Sequence, residues 1–375
     1  MRVLHINCNY IGTTLHQLMN EKLDAMGCEN RVFVPTYDRN LAVIKPNSNV
    51  CVSECFHKWD RLVFDYKQKK IINAVESQIS VGNFDIIHAY TLFTDGNCAR
   101  ILSKKYGIPY VVAIRNTDVN DFFRLMPHLR GRGVQIMCDA AAVFFLSESY
   151  RKQVFEKYIP QKYKREIQEK THIIPNGIDD FWFQNKPEAR KNIDRKTIKL
   201  VYAGRIDKNK NIPTTQRAME QLRKEGYNVT LTVVGKIQDE AEFRKIQKDQ
   251  YTEYFPAMPK EKLIDIYRQA DVFVMPSFKE SFGLVYAEAM SQGLPVVYSK
   301  GQGFDGQFEE GTVGYRTASN NAEECADAIE KIADGYCEIS KNCVSSAAKF
   351  KWDSICKRYL EIYSCIVKRQ RENKA

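Results

Sequence analysis

Two Rossmann-like, doubly wound α/β domains are predicted, from the chain's length, the character of its apolar runs and what lies between those runs. With 375 residues the chain exceeds the size at which one hydrophobic core usually stops growing, so two cores are expected. The apolar runs are short, β-branched and continuous, as strands are when a parallel sheet is covered on both faces. Stretches of helical periodicity separate them, so each half repeats strand, helix, strand.

In the first half the strands read "RVLHIN", "RVFVP", "FDIIH", "PYVVAI" and "AVFFL"; in the second, "IKLVYAG", "VTLTVVG", "DVFVMP" and "PVVYS". Amphipathic helices are expected over 14–26, 212–224 and 260–270. The segment "IIPNGIDDFWFQNKPEARKNIDRKT" carries Pro, Gly and Asp turn signals followed by a charged, strand-free stretch, which marks the join. The expected division is an N-terminal domain over 1–183, a C-terminal domain over 184–350 and a closing helix over 351–375.

Composition narrows the function. Apolar residues make up 44% and charged residues 27%, with no apolar run long enough to span a bilayer. The opening "MRVLHINCNYIG" reads as strand and turn rather than as a signal peptide, so a cytoplasmic location is expected. Eleven scattered cysteines without a CxxC suggest reduced thiols, neither a disulfide framework nor a zinc site. A net charge of +10 favours acidic partners of several kinds. Nucleic acid is not expected among them, because no recognised nucleic-acid-binding pattern accompanies the charge. No histidine lies beyond His172, so chemistry in the second half must rest on carboxylates, Lys, Arg or backbone.

The segment "DVFVMPSFKESFGLVYAEAMSQGLPVV" reads strand, loop, helix, strand, with Glu280 in the loop and Glu288 about two helical turns on. Their separation of roughly 12 Å is about the length of a diphosphate carrying a sugar at each end. The helix N-terminus between them would offer the N–H groups of Phe282, Gly283 and Leu284 to anionic oxygens. The alternative is a pair of solvated helix acids. The string "YAGRIDKNKN" shifts the balance: a strand ends at Gly204, and Arg205 and Lys210 follow at the strand end where α/β ligands collect. Arg205 could fork onto a phosphate and Lys210 supply a point charge against a leaving diphosphate.

Taken together, "GRIDKNKN", "PSFKESFGLVYAEAMSQGLPVV" and "IIPNGID" resemble retaining GT-B glycosyltransferases of the family-4 type, and Glu280 with Glu288 resembles that family's E-x7-E signature. The resemblance implies two domains facing a cleft, with the closing helix crossing back to the first. It implies transfer of a sugar from a nucleotide diphosphate sugar, a UDP-sugar by expectation, to a hydroxyl with retained anomeric configuration. Neither a cofactor nor a metal is then needed. By position, Arg205 and Lys210 would hold the diphosphate, Glu288 the ribose and Glu280 the donor sugar. The absence of a DxD triplet agrees with metal-free transfer. Departure and attack on one face is preferred to a carboxylate nucleophile.

The acceptor side falls to the first half, where the match is looser. Gly12, before a helix start, would let a backbone N–H approach the diphosphate; the family commonly has paired glycines there, and this chain has Ile11-Gly12. After "PYVVAI" the family's His-Gly-x-Asp string is replaced by "RNTD". Arg115 stands for the histidine and Asn116 for the glycine, while Asp118 fits. Arg115 would then recognise an anion such as an acceptor phosphate, or form a salt bridge to Asp118 or Asp121. His88, closing a strand, is a further acceptor-side candidate, weighed against a structural role. Two basic aromatic stretches, 57–77 and 151–170, would either rest on an anionic membrane surface or face the core with solvated lysines. A saccharide or lipid-linked saccharide acceptor, in bacterial surface polysaccharide or glycolipid synthesis, fits this layout. The alternatives are a non-catalytic scaffold subunit of the same fold and a nucleotide-sugar epimerase.

Overall fold

The computed structural model describes residues 1–41, 48–188 and 193–373. Two compact units form, one from Met1–Leu146, Tyr150–Gly177 and the residues from Trp352 onward, the other from Ser147–Ser149 and Ile178–Lys351.

The first unit is built on seven parallel strands: β1 (Arg2–Ile6), β2 (Glu29–Thr36), β3 (Val50–Glu54), β4 (Ile86–Ala89), β5 (Tyr110–Ile114), β6 (Ala142–Phe145) and β7 (Thr171–Ile173). Their order is β3-β2-β1-β4-β5-β6-β7. Alternate residues of one strand enter different cores: Val112 and Ile114 join one cluster, Val111 and Ala113 the other. Both faces are therefore covered, which is why these strands read as unbroken apolar runs.

The helix Trp352–Glu372 covers one of those faces. Trp352, Ile355, Tyr359 and Tyr363 pack with Val111, Phe144 and Ile174. Each such side chain contributes about 2 kcal/mol by burial. Trp352 lies so close over Gly177 that a Cβ there would stand 2.4 Å from its ring. The closing helix thus belongs to the first unit.

The second unit has six parallel strands: β8 (Thr197–Ala203), β9 (Asn228–Gly235), β10 (Thr252–Pro256), β11 (Val272–Met275), β12 (Val296–Ser299) and β13 (Gly314–Thr317), ordered β10-β9-β8-β11-β12-β13. In both sheets the order reverses beside the first strand, at β1/β4 and at β8/β11. These are the switch points where α/β sheets collect ligands.

The two basic aromatic stretches part company. In the stretch 151–170, Val154, Phe155, Ile159 and Ile167 enter the core of the first unit. In 57–77 the inward face of the helix Phe64–Gln78 is Gln68, Ile71 and Val75, and Trp59, Leu62, Val63 and Tyr66 are exposed. Among the described residues no helix is long and apolar enough to cross a membrane.

Candidate active site

β8 and β11 are parallel neighbours, Val201 beside Phe273, so their carboxyl ends meet on one edge of the sheet. From β8 the chain passes Gly204 and Arg205 into a 3-10 turn, Lys208–Lys210, whose first N–H groups are capped by Asp207 accepting from Lys210 N. From β11 it passes Pro276 into the loop that opens the helix Leu284–Ser291. Asn209 ties the two loops together. Its Oδ1 accepts from Lys279 N at 3.0 Å, its Nδ2 donates to Lys279 O at 2.8 Å, and its carbonyl accepts from Phe278 N at 2.9 Å. Asn211 adopts φ 55, a left-handed conformation that Asn tolerates, and donates to Pro276 O at 3.0 Å.

This stitching brings Lys210 Nζ to 2.6 Å from Glu280 Oε2, with the two side chains only 12% and 10% exposed. Glu280 Oε1 accepts from Ser281 N at 3.0 Å. The glutamate backbone is held as well: its N–H donates to Gln302 Oε1 and its carbonyl accepts from Gly303 N, both at 3.0 Å. Gly303 has to be glycine, because a Cβ there would fall 1.9 Å from Ser281 O.

Gly283 begins the helix at φ 78, and a Cβ on it would stand 2.4 Å from the Tyr286 ring. Tyr286 donates to Met275 O at 2.6 Å, which pins the first helical turn to the end of β11. No side chain caps this helix. Among the described residues the N–H groups of Phe282, Gly283 and Leu284 have no acceptor. The result is a row of free donors, at the positive end of a helix, beside a fixed carboxylate and an ammonium.

Arg205 is exposed and its nearest carboxylate, Asp207, is 3.9 Å away, so its guanidinium is available. Glu288 is half-buried in the same helix, and its carboxylate has no hydrogen bond or ion pair among the described residues, while Ser291 Oγ donates to its backbone carbonyl. Burial, then the charge of Asp179, pushes its carboxyl from an ordinary 4.5 up to about 7; Lys260 opposes them. Lys260 is itself paired with Asp179. Such a group is costly to the fold and ready for an incoming donor of hydrogen bonds.

In the first unit, exposed Gly12, with open space around it, closes a 3-10 turn whose Tyr10 and Ile11 are buried, and the helix after it runs Leu15–Ala25. Arg115 is not salt-bridged as the sequence allowed. Its Nε donates to Tyr90 O at 3.2 Å and its Nη1 to Asn176 Oδ1 at 2.9 Å, while its backbone N–H goes to Asp118. Asp118 is fully buried, accepts also from Leu92 N and Phe93 N, and is pushed up to about 6, mainly by burial. It positions the Arg115 loop and has no surface to offer an acceptor.

His88 is a correction. It has no exposed surface, stacks on Tyr90 at 4.2 Å and is bonded through Nδ1 to the Tyr363 hydroxyl at 2.6 Å. Burial drives its pKa well below the usual value. A strand-end position suggested a ligand-facing ring. The C-terminal helix, which the strand itself could not announce, closes over it.

Sequence reading passed over Asn209, Gln302, Gly303 and the Asp179–Lys260 pair. The two asparagines of "KNKN" and the Gly-Gln-Gly of 301–303 were the available signals, since both residue types mark special backbone turns. Among the described residues no group of three or more His, Cys, Asp or Glu side chains is placed to hold a metal ion.

Comparison with known proteins matches residues 183–350 to the family described as "Glycosyl transferases group 1" and residues 11–180 to "Glycosyltransferase Family 4". A D-inositol 3-phosphate glycosyltransferase of Pseudarthrobacter chlorophenolicus is 28% identical, over 68% of this chain and 63% of its own. The chain thus spans less than two thirds of that relative. One from Arthrobacter sp. is 23% identical over 92% of this chain and 87% of its own. Among solved structures, the sucrose-phosphate synthase of Thermosynechococcus elongatus superimposes with a TM-score of 0.76 at 20% identity, covering 98% of this chain and all of that one. Anabaena HepE in complex with UDP and glucose gives 0.67 at 17% identity, covering 97% of this chain and all of that one. At such identities the two structures speak to the fold alone. Two parallel sheets with reversed strand order, and solved neighbours that span nearly the whole chain, give it a GT-B fold whose two halves each match a glycosyltransferase family model.

Proposed function

We propose that this chain transfers a sugar from a nucleotide diphosphate sugar, with a UDP-sugar as the expected donor, to a hydroxyl of a saccharide or lipid-linked saccharide, with retention and without a metal. The observation that carries this reading is the Lys210–Glu280 contact beside three free N–H groups at a helix start. Arg205, Lys210 and those N–H groups would hold the diphosphate. Glu288 would accept from ribose hydroxyls and Glu280 from hydroxyls of the donor sugar.

Both Glu280 oxygens already accept a hydrogen bond, from Ser281 N and Lys210 Nζ. That dulls the carboxylate as a nucleophile and fixes it as an acceptor, which favours reaction on one face. The bond from the anomeric carbon to the diphosphate breaks as the acceptor oxygen bonds to that carbon from the same side. The acceptor proton passes to the departing phosphate oxygen, and the nucleoside diphosphate leaves.

The relatives named for inositol 3-phosphate act on a phosphate-bearing acceptor. Arg115, half-buried with one guanidinium nitrogen unbonded among the described residues, would read such a phosphate here. The test is thermal unfolding with UDP-, GDP-, ADP- and dTDP-sugars, with and without EDTA. A donor at about 100 times its Kd adds about 2.7 kcal/mol. A selective, EDTA-insensitive shift that disappears in Arg205→Ala is expected. A shift that requires a divalent ion, or no shift with any donor, would overturn the reading.

A further inference from the structure

We infer that the exposed turn and helix start at residues 58–66 of the first unit form a docking surface for an anionic lipid bilayer. The inference is independent of how the donor is held. Of the eleven large apolar side chains that are exposed among the described residues, four fall within this short stretch. They are Trp59 at 78%, Leu62 at 78%, Val63 at 59% and Tyr66 at 51%. Elsewhere they are scattered singly, as on any soluble surface.

Local structure explains why they point outward. Residues 58–62 form a 3-10 turn with no buried residue, and the helix that follows spends its inward face on Gln68, Ile71 and Val75. Leu125, 64% exposed, belongs to a segment that packs against the start of this helix through the Phe64–Phe122 contact at 6.2 Å.

Charge selects the occupant. The two acids inside the patch are neutralised within it: Asp60 accepts from Lys70 Nζ at 2.6 Å, and Asp65 is paired with Arg132. Lys58, Arg61 and Arg124 are exposed and have no carboxylate partner among the described residues, and exposed Lys69 adds its charge near Asp65. A net positive rim around a Trp, a Tyr and two aliphatic side chains complements a headgroup layer, where the indole and phenol sit at the boundary and the cations meet phosphates. An ordinary protein interface would instead deplete lysine at its centre.

The chain offers its own reporter. Of its three tryptophans, Trp182 and Trp352 are 2% exposed, so only Trp59 stands in solvent. The full chain is mixed with vesicles of phosphatidylcholine alone or with about three in ten phosphatidylglycerol. Co-sedimentation with the anionic vesicles is expected, weakening as salt is raised, with a blue shift of tryptophan emission and quenching by brominated acyl chains. Trp59→Phe should abolish the shift. Leu62→Ser with Val63→Ser should weaken binding at least tenfold, and Lys58→Glu or Arg61→Glu about fivefold each. All of these sit at exposed positions outside the donor site and should leave the unfolding midpoint and donor shift in place. No binding to anionic vesicles, or binding that leaves Trp59 emission unchanged, would overturn the inference. So would a lipid-independent dimer that shields Trp59, which would make the patch a self-association face.

Discussion

Replacing Glu288 by glutamine should strengthen the fold while weakening the protein's hold on its donor. The carboxyl is half-buried, unpaired, and pushed from 4.5 up to about 7, by burial first and the Asp179 charge second. A carboxyl with a raised folded pKa contributes stability below its unfolded value and loses that contribution as pH rises through the folded value. The penalty is therefore nearly absent at about pH 4.5 and complete above about pH 8, where the gap from 4.5 to about 7 corresponds to about 3 kcal/mol. Glutamine keeps the shape and avoids the charge. Urea unfolding of both proteins at those two pH values should give an advantage of about 3 kcal/mol to the variant at the high pH and under 1 kcal/mol at the low. In the same samples donor affinity should fall tenfold or more, since a hydrogen bond to a charged acceptor contributes about 1.5–3 kcal/mol. A variant no more stable at high pH would refute the assignment of a strained carboxyl. Unchanged donor affinity would refute the ribose contact.

The Lys210–Glu280 pair should behave as a unit. Lys210→Met or Glu280→Gln alone leaves one buried charge uncompensated and should cost about 3–5 kcal/mol, while the double variant should recover most of it in a urea double-mutant cycle. Arg205→Ala, at an exposed position, should change stability by less than about 0.5 kcal/mol yet remove the donor-induced thermal shift. Gly283→Ala must place a Cβ against the Tyr286 ring at φ 78, so a loss of about 1–3 kcal/mol and a weakened diphosphate grip are expected by calorimetry and donor titration. Arg115→Gln should raise the acceptor KM with little effect on the donor KM; equal changes in both would refute its acceptor role.

Nine of the thirteen strands among the described residues were legible in the sequence, and the four that were not are the four sheet edges: β3 "VCVSE", β7 "THI", β10 "TEYFP" and β13 "GYRT". Interior strands bury both faces and announce themselves as apolar runs. Edge strands are half-solvated and carry Ser, Glu, Thr, His and Arg, so they read as loop. The charged residues of the second unit were legible because Gly204, Pro276 and Gly283 punctuate their strands and helix. The tie through Asn209 was not, since it joins residues 70 positions apart. His88 was misplaced for the same reason: the residue that decides its environment, Tyr363, lies 275 positions downstream.

That distance has a consequence during synthesis. The side chains of Trp352, Tyr359 and Tyr363 that complete one core of the first unit leave the ribosome only after the whole of 178–351 has been made. The usual vectorial order, in which the N-terminal part of a chain matures first, is therefore inverted here. The inserted unit can reach its native state while the strands that preceded it still expose an apolar face around Val111, Phe144 and Ile174. Chaperone occupancy should persist on nascent chains until the final helix emerges, and a stop codon at 352 should release a protein with one finished unit and one that remains a client.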